Sequence, residues 1–196
     1  MVVKGRSYTS FLEIGVYEWN TIKYVKVPRR IGVDPHPQRS APEGIDAYVM
    51  TSDTYFESTH NLVDLVFIDG WHGYDQAYRD VKNAVNVLND GGLILLHDCN
   101  PRTEGMQIVP KQQVEWTGDV WKAIVRLRLE SDELDVFTID LDTGIGVVRR
   151  ERSTDPIKFR DKRWDDFTWQ DLSQNRGDLL GLKSLQQGLG KILNNV

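Results

Sequence analysis

The chain has 196 residues, 40% of them hydrophobic, which is enough for one substantial α/β core and too short for two domains of ordinary size. A formal charge of −5 argues against a generic nucleic-acid surface, and a single cysteine, Cys99, excludes an intramolecular disulfide. No apolar run approaches the roughly 20 residues that span a bilayer and no signal-peptide pattern opens the chain, so the sequence reads as cytoplasmic, without nucleic-acid or membrane partners.

After a short polar lead, Ser10-Phe11-Leu12-Glu13-Ile14-Gly15-Val16 reads as a first strand running into a glycine turn. Residues 20–27 leave room for about two helical turns before Pro28. Ile31-Gly32-Val33-Asp34-Pro35 is a second short strand ending in an acid, and Pro35 and Pro37 keep a helix from starting at once. Tyr48-Val49-Met50-Thr51 reads as a third strand, followed by a short helix over 53–57 with Ser52 as its N-cap.

The strongest pattern lies between Leu62 and Asn100. Leu62, Val63, Leu65, Val66, Phe67 and Ile68 form an apolar run broken only by Asp64 and halted at Asp69-Gly70, as a buried parallel strand ending in a carboxylate would be. Ala77, Val81, Ala84, Val85 and Leu88 then recur at helical spacing, and Asn89-Asp90-Gly91-Gly92 stops that helix. Residues 93–96 form a fifth strand, terminating in His97-Asp98-Cys99-Asn100. Strand, crossover helix and strand make a right-handed βαβ unit, which places Asp69 and Asp98 on the same sheet edge, in the crevice where open α/β sheets bind ligands.

Residues 101–117 show no clear period, a length of loop that is functional or mobile in most compact domains. A helix resumes at Gly118-Asp119-Val120-Trp121 with Asp119 as its cap. Residues 136–140 and 144–148 straddle Leu141-Asp142-Thr143 as an antiparallel hairpin. Residues 149–163 are charge-rich and contain Pro156, a linker signature, and Trp164 onward carries enough leucine for one or two amphipathic helices. The chain thus divides into an α/β domain over 1–150 and a linker with helical extension over 151–196. Whether the extension covers this domain or joins a second copy in a homo-oligomer stays open.

Successive strands end in oxygen-bearing side chains: Glu13, Asp34, Ser52 with Asp53, and Asp69. A nucleoside across the first two strands needs close backbone approach after the first and a carboxylate after the second for the ribose hydroxyls. Glu13-x-Gly15 and Asp34 meet that need, although either alone would be only a turn or a strand end. Asp69 and Asp98 have two readings: oxygen ligands for a hard cation such as Mg²⁺, or caps for the next helix and loop amides. His72 reaches the same cleft, where an unperturbed pKa near 6.5 suits a general base. His97 and Cys99 read as packed core groups, and Trp116 as a candidate wall of a substrate pocket.

At these residues the sequence resembles a class I S-adenosylmethionine-dependent methyltransferase, of the small bacterial type with a FIDGxHxY motif. Phe11-Leu12-Glu13-Ile14-Gly15-Val16-Tyr17 is similar to the first cofactor motif, Gly32-Val33-Asp34-Pro35 to the acidic ribose motif, and Met50-Thr51-Ser52-Asp53 to the adenine-side turn. Phe67-Ile68-Asp69-Gly70-Trp71-His72 and the stretch from Gly91-Gly92 to His97-Asp98 resemble the fourth and fifth strand motifs. The resemblance implies a Rossmann-like seven-strand sheet in the order 3-2-1-4-5-7-6, with an antiparallel last strand and a C-terminal helical tail. It implies S-adenosylmethionine as cofactor, bound by Glu13, Gly15, Tyr17, Asp34, Ser52, Asp53 and Asp69, and O-methylation of a small-molecule or sugar acceptor. His72, Asp69 and Asp98 would be the catalytic residues.

Metal-dependent catechol and caffeoyl-CoA O-methyltransferases place Mg²⁺ ligands at the positions of Asp69 and Asp98 and a lysine base at that of His72. Cys99 replaces their third ligand, an asparagine, with Asn100 or His97 as substitutes. The first cofactor motif of the family ends in glycine where this chain has Trp19. An indole filling the methionine space would make the chain a non-catalytic binding module with a degenerate cofactor site, which is the alternative reading. A nicotinamide oxidoreductase is disfavoured by the terminal hairpin and by the lack of a G-x-G-x-x-G turn.

Overall fold

The computed structural model describes residues 6–193. Its strands are β1 (Ser10–Ile14), β2 (Arg29–Val33), β3 (Asp46–Tyr48), β4 (Val63–Ile68), β5 (Leu88–Leu96), β6 (Asp135–Ile139) and β7 (Ile145–Arg149). They form one sheet in the order β3-β2-β1-β4-β5-β7-β6, in which β7 alone runs antiparallel to its neighbours. The chain leaves β1 toward β3 and then returns to lay β4 on the other side of β1. The carboxyl ends of β1 and β4 therefore flank a topological switch point, where such sheets open a crevice.

Alternation along each strand divides the core. Leu12, Val66 and Ile68 face α2 (Tyr74–Asn86) and α3 (Trp121–Glu130), meeting Ala77, Val81, Ala84, Ile124 and Leu127. Phe11, Leu65 and Leu93 face the opposite side with Trp19, Ile22 and Phe137. The C-terminal helices α4 (Trp169–Leu179) and α5 (Leu185–Leu193) complete both layers of this chain's own sheet. Leu172 and Leu179 are fully buried in the first, and Ile192 in the second. Residues 149–163 are not a free linker: Ile157 is buried, and the buried Arg128 guanidinium donates to the Asp155 carbonyl at 3.0 Å. Among the described residues no helix is long and apolar enough to cross a membrane.

Several local expectations are corrected. The third strand is Asp46–Tyr48 rather than 48–51, because Asp34 N–H bonds the Tyr48 carbonyl and the chain then turns into α1 (Ser52–Ser58). Thr51, not Ser52, is the N-cap of α1, its hydroxyl accepting the Thr54 N–H at 3.2 Å. Residues 20–27 hold only a 3₁₀ turn over Ile22–Tyr24. Leu88 belongs to β5 instead of ending α2. Asn89 to Gly92 form an irregularity within that strand: the partner of Val63 is Leu88, that of Leu65 is Leu93, and Gly91 takes φ +70°. Asp119 does not cap its own helix; its carboxylate accepts the Tyr74 N–H at 2.8 Å and so caps α2, whose Gly73 N-cap has no side chain to do so.

Candidate active site

Four strand ends, those of β1, β2, β4 and β5, are stitched together by backbone bonds. Gly15 N–H donates to Val33 O (2.8 Å), Asp69 N–H to Ile14 O (2.8 Å) and His97 N–H to Ile68 O (2.9 Å). Gly15 sits at φ +87°, and a Cβ there would run into the Asp69 carbonyl, so only glycine lets β1 and β4 approach this closely. A cleft of about 800 Å³ opens above them. Glu13, Gly15, Tyr17, Asp34, Ser52, Asp53, Asp69, His72 and Asp98 all line it, so every residue expected from the sequence to bind the cofactor or act in catalysis borders one hollow.

At one end, Asp34 is held by two backbone donors, Tyr17 N–H at 2.9 Å and His36 N–H at 2.7 Å. Glu13 is only 2% exposed, and its Oε2 has no partner. Burial pushes its carboxyl up to about 8, against the lowering effect of the Ile22 N–H. Next to them, the Gln76 carboxamide donates to Ser52 Oγ (3.2 Å), Asp53 Oδ1 (3.2 Å) and Asp80 Oδ1 (2.9 Å), tying α2 to the start of α1. Asp80, which sequence reasoning missed, is buried with Ala77, Val81 and Ala84 on the packed face of α2.

Trp19 does not fill the cleft. Its backbone takes φ +65°, the left-handed conformation suited to the glycine of the motif it resembles, and its indole points into the opposite layer. There it lies 3% exposed against Val16 and over Gly32, where a Cβ would collide with the ring. Its Nε1–H donates to the Arg39 carbonyl at 2.8 Å. A side chain is accommodated at the glycine position because Gly32, on the neighbouring strand β2, has none.

At the other end, Asp69, His72, His97 and Asp98 form one cluster. His72 Nδ1 lies 3.2 Å from Asp98 Oδ2 and 3.2 Å from the Trp116 carbonyl, and its Nε2 lies 3.6 Å from Asp69 Oδ1. His97 Nδ1 is 3.3 Å from Asp69 and 3.4 Å from Asp98, without a well-aligned bond to either, and its Nε2 is 3.3 Å from Asp142. Burial opposes charge on both imidazoles, but the carboxylates outweigh it: His72 is raised, and His97 is raised to about 11. Burial likewise opposes charge on Asp69, yet the two imidazoles hold it well below the usual carboxylate range. His97 is therefore part of this cluster and not the packed core group expected of it. Neither carboxylate caps a helix; Asp98 instead accepts the Thr143 hydroxyl at 2.6 Å. Asp98 also sits at φ +62°, a strained conformation for a residue with a side chain.

Thr143 and Asp142 come from the β6–β7 turn, which antiparallel β7 returns to the rim where β5 ends. Trp116 closes the site from the irregular loop, stacked on His72 with centroids 5.2 Å apart. Gly118, at φ +59°, lets that loop lie directly on the His72 backbone.

The donor set for a metal is Asp69, His72 and Asp98, whose ligand atoms lie within 4.8 Å of one another. Cys99 is fully buried with its thiol on the Leu96 carbonyl, its pKa raised well above the ordinary value by burial, and Asn100 is bonded to Asp140 and Arg176. Neither completes the ligand set. With an imidazole as third donor, the group fits a borderline divalent ion better than the all-oxygen shell that Mg²⁺ prefers.

The family described as "Methyltransferase domain" matches residues 4–99. No curated protein matches the chain in sequence. Among solved structures, the SAH-bound methyltransferase PaMTH1 of Podospora anserina is similar at 17% identity and a TM-score of 0.59, over 76% of this chain and 74% of that one. Cofactor-bound Rv0187 from MTB is similar at 14% identity and a TM-score of 0.58, over 78% of each chain. An O-methyltransferase from Bacillus cereus in complex with SAH is similar at 11% identity and a TM-score of 0.51, over 76% of each.

Proposed function

We propose that this chain is a class I S-adenosylmethionine-dependent methyltransferase, a reading supported by the family match and the fold, and that its cleft binds S-adenosylmethionine and methylates an acceptor oxygen. The observation that carries the reading is the convergence of Glu13, Asp34 and Asp69 on one hollow, with the Gly15 backbone at its floor. When bound, the cofactor would supply an electrophilic methyl group, the acceptor C–O bond forming as the C–S bond breaks and its electron pair leaving with sulfur. Asp34 takes the ribose hydroxyls, and the unpartnered Glu13 oxygen receives the ammonium of the amino-acid part. Ser52, Asp53 and Asp80 border the base.

His72 takes the acceptor proton. Its Nδ1 faces a backbone carbonyl, which can only accept, so Nδ1 carries the hydrogen and Nε2 the lone pair. Asp98 and Trp116 orient the ring, and Trp116 shields it from water. In-line displacement demands chiefly orientation and desolvation, which this enclosure provides. Because His72 is raised, turnover increases with pH above the ordinary histidine range as Nε2 is freed.

The clustered ligand atoms favour a second reading, in which a divalent ion at Asp69 and Asp98 recruits His72 as a ligand instead of a base. Calorimetric titration with S-adenosylhomocysteine, with EDTA and with divalent ions, separates the two. We expect binding unaffected by EDTA, weakened at least tenfold by Asp34→Ala and unchanged by His72→Ala. Equal affinity of Asp34→Ala and the parent would defeat the ribose assignment.

A further inference from the structure

The β6–β7 turn lies against the four residues that follow β5, and each of them is tied to it. His97 Nε2 is 3.3 Å from Asp142 Oδ2, and Asp98 Oδ1 accepts the Thr143 hydroxyl at 2.6 Å. Cys99 N–H donates to the Gly144 carbonyl at 3.0 Å and Asn100 N–H to the Thr143 carbonyl at 2.6 Å. Gly144 takes φ +93°, and a Cβ there would strike Asn100, so glycine is what lets the turn come this close.

One of these ties reaches the base. A carboxylate turns readily about its last torsion, so the strained backbone of Asp98 does not by itself decide which oxygen faces His72. The Thr143 hydroxyl decides it. With Oδ1 held on Thr143, Oδ2 is left 3.2 Å from His72 Nδ1, the same distance as the Trp116 carbonyl to which that nitrogen is bonded. Thr143 is itself well fixed, since its β-branched side chain has few rotamers and its carbonyl is taken by Asn100. Asp98 is only 4% exposed, which leaves little water to replace a lost hydroxyl. When His72 Nε2 takes the acceptor proton, positive charge develops on the ring, and a carboxylate already aimed at Nδ1 stabilises it without reorganising.

We propose that Thr143 is a positioning residue for methyl transfer, its hydroxyl fixing the Asp98 carboxylate so that one oxygen stays beside the His72 ring. This rests on the reading of His72 as the base given above. The chain has four histidines, so labelling them with nitrogen-15 gives few ring signals, and His72→Gln identifies the one that belongs to His72. The signal followed is the Nδ1–H of His72, a hydrogen that the ring carries whether or not Nε2 is protonated. It is recorded in EDTA, with and without S-adenosylhomocysteine, for the full-length parent, for Thr143→Val, which removes the hydroxyl and keeps the branching, and for Thr143→Ser, which restores the hydroxyl.

In the parent this hydrogen exchanges slowly with water. Thr143→Val shifts its resonance and speeds the exchange about tenfold or more, and Thr143→Ser returns it to within about threefold of the parent. Affinity for S-adenosylhomocysteine stays within about twofold across the three chains, because the hydroxyl acts on the base and not on the cofactor. Should Thr143→Val not fold, Thr143→Ala, also without a hydroxyl, carries the same expectation.

A His72 signal that is the same in Thr143→Val and the parent overturns the proposal. So does a loss that Thr143→Ser fails to recover, or a parent whose Nδ1–H exchanges too fast to be seen. Weaker S-adenosylhomocysteine binding in Thr143→Val with an unmoved His72 signal also overturns it, by placing Thr143 in the cofactor site. Failure of the parent to bind S-adenosylhomocysteine strikes the methyl-transfer reading instead, while the spectra without it still report on the Thr143 contact.

Discussion

Glu13 is a carboxyl group kept out of water with one oxygen unmatched, which is costly unless it stays protonated or meets a cation. Its folded pKa, about 8, lies above its ordinary value, so the native state binds this proton more tightly than the unfolded chain does. The stability this contributes is fully present below about 4.5 and is lost as pH rises through about 8. Urea midpoints between pH 5 and 8.5 should therefore fall more steeply for the parent than for Glu13→Gln. Parallel curves would contradict the assignment. Trp19 marks the limit of sequence reading at this scale. The left-handed backbone at the motif's last position could be expected from the family's glycine. That the indole would turn to the opposite layer depends on Gly32, a strand residue whose missing side chain has no local signature.

At the scale of elements, the legible features were those set by period and by strand ends. The βαβ unit from β4 to β5 and the β6–β7 hairpin follow from alternation and helical spacing, and they bring Asp69 and Asp98 to one rim. Tertiary contacts decided the rest. Asp119 precedes a helix as a cap should, yet serves its neighbour, because Gly73 leaves the first amides of α2 without a local acceptor. The contribution of α4 to the site was equally hidden. Arg176 reaches the loop after β5 and donates to Asn100 Oδ1 and to the Pro101 carbonyl at 2.7 Å. Together with the Thr143 hydroxyl on Asp98, this holds a loop whose Asp98 is strained. Arg176→Ala should therefore lower kcat about tenfold or more and displace the pH profile of His72, with S-adenosylhomocysteine affinity retained. Arg176→Lys should recover part of the loss. A variant with unaltered kcat and pH profile would make Arg176 a structural tie only.

Over the whole molecule, the sheet order was legible through the family resemblance, which implies 3-2-1-4-5-7-6, the order the strands take. The fate of the C-terminal segment was not, since an amphipathic helix shows that it needs a partner without saying which. It packs on its own sheet: Leu172, Leu179 and Leu180 have no exposed surface, and Lys191 pairs with the buried Asp135 at 2.6 Å. Each such leucine contributes on the order of 1.5–3 kcal/mol. A chain ending at residue 150 should accordingly lose cooperative unfolding or aggregate. A soluble truncated chain melting within a few degrees of the parent would make 151–196 an independent appendage. The central claim, that acids on neighbouring strand rims frame one nucleoside-sized hollow, is tested most directly by a crystal structure with S-adenosylhomocysteine. The predicted result has the ribose hydroxyls on Asp34, the amino group at Glu13 and the Trp19 ring still beneath Gly32. A ligand bound elsewhere, or an indole swung into the cleft with no ligand there, would contradict it.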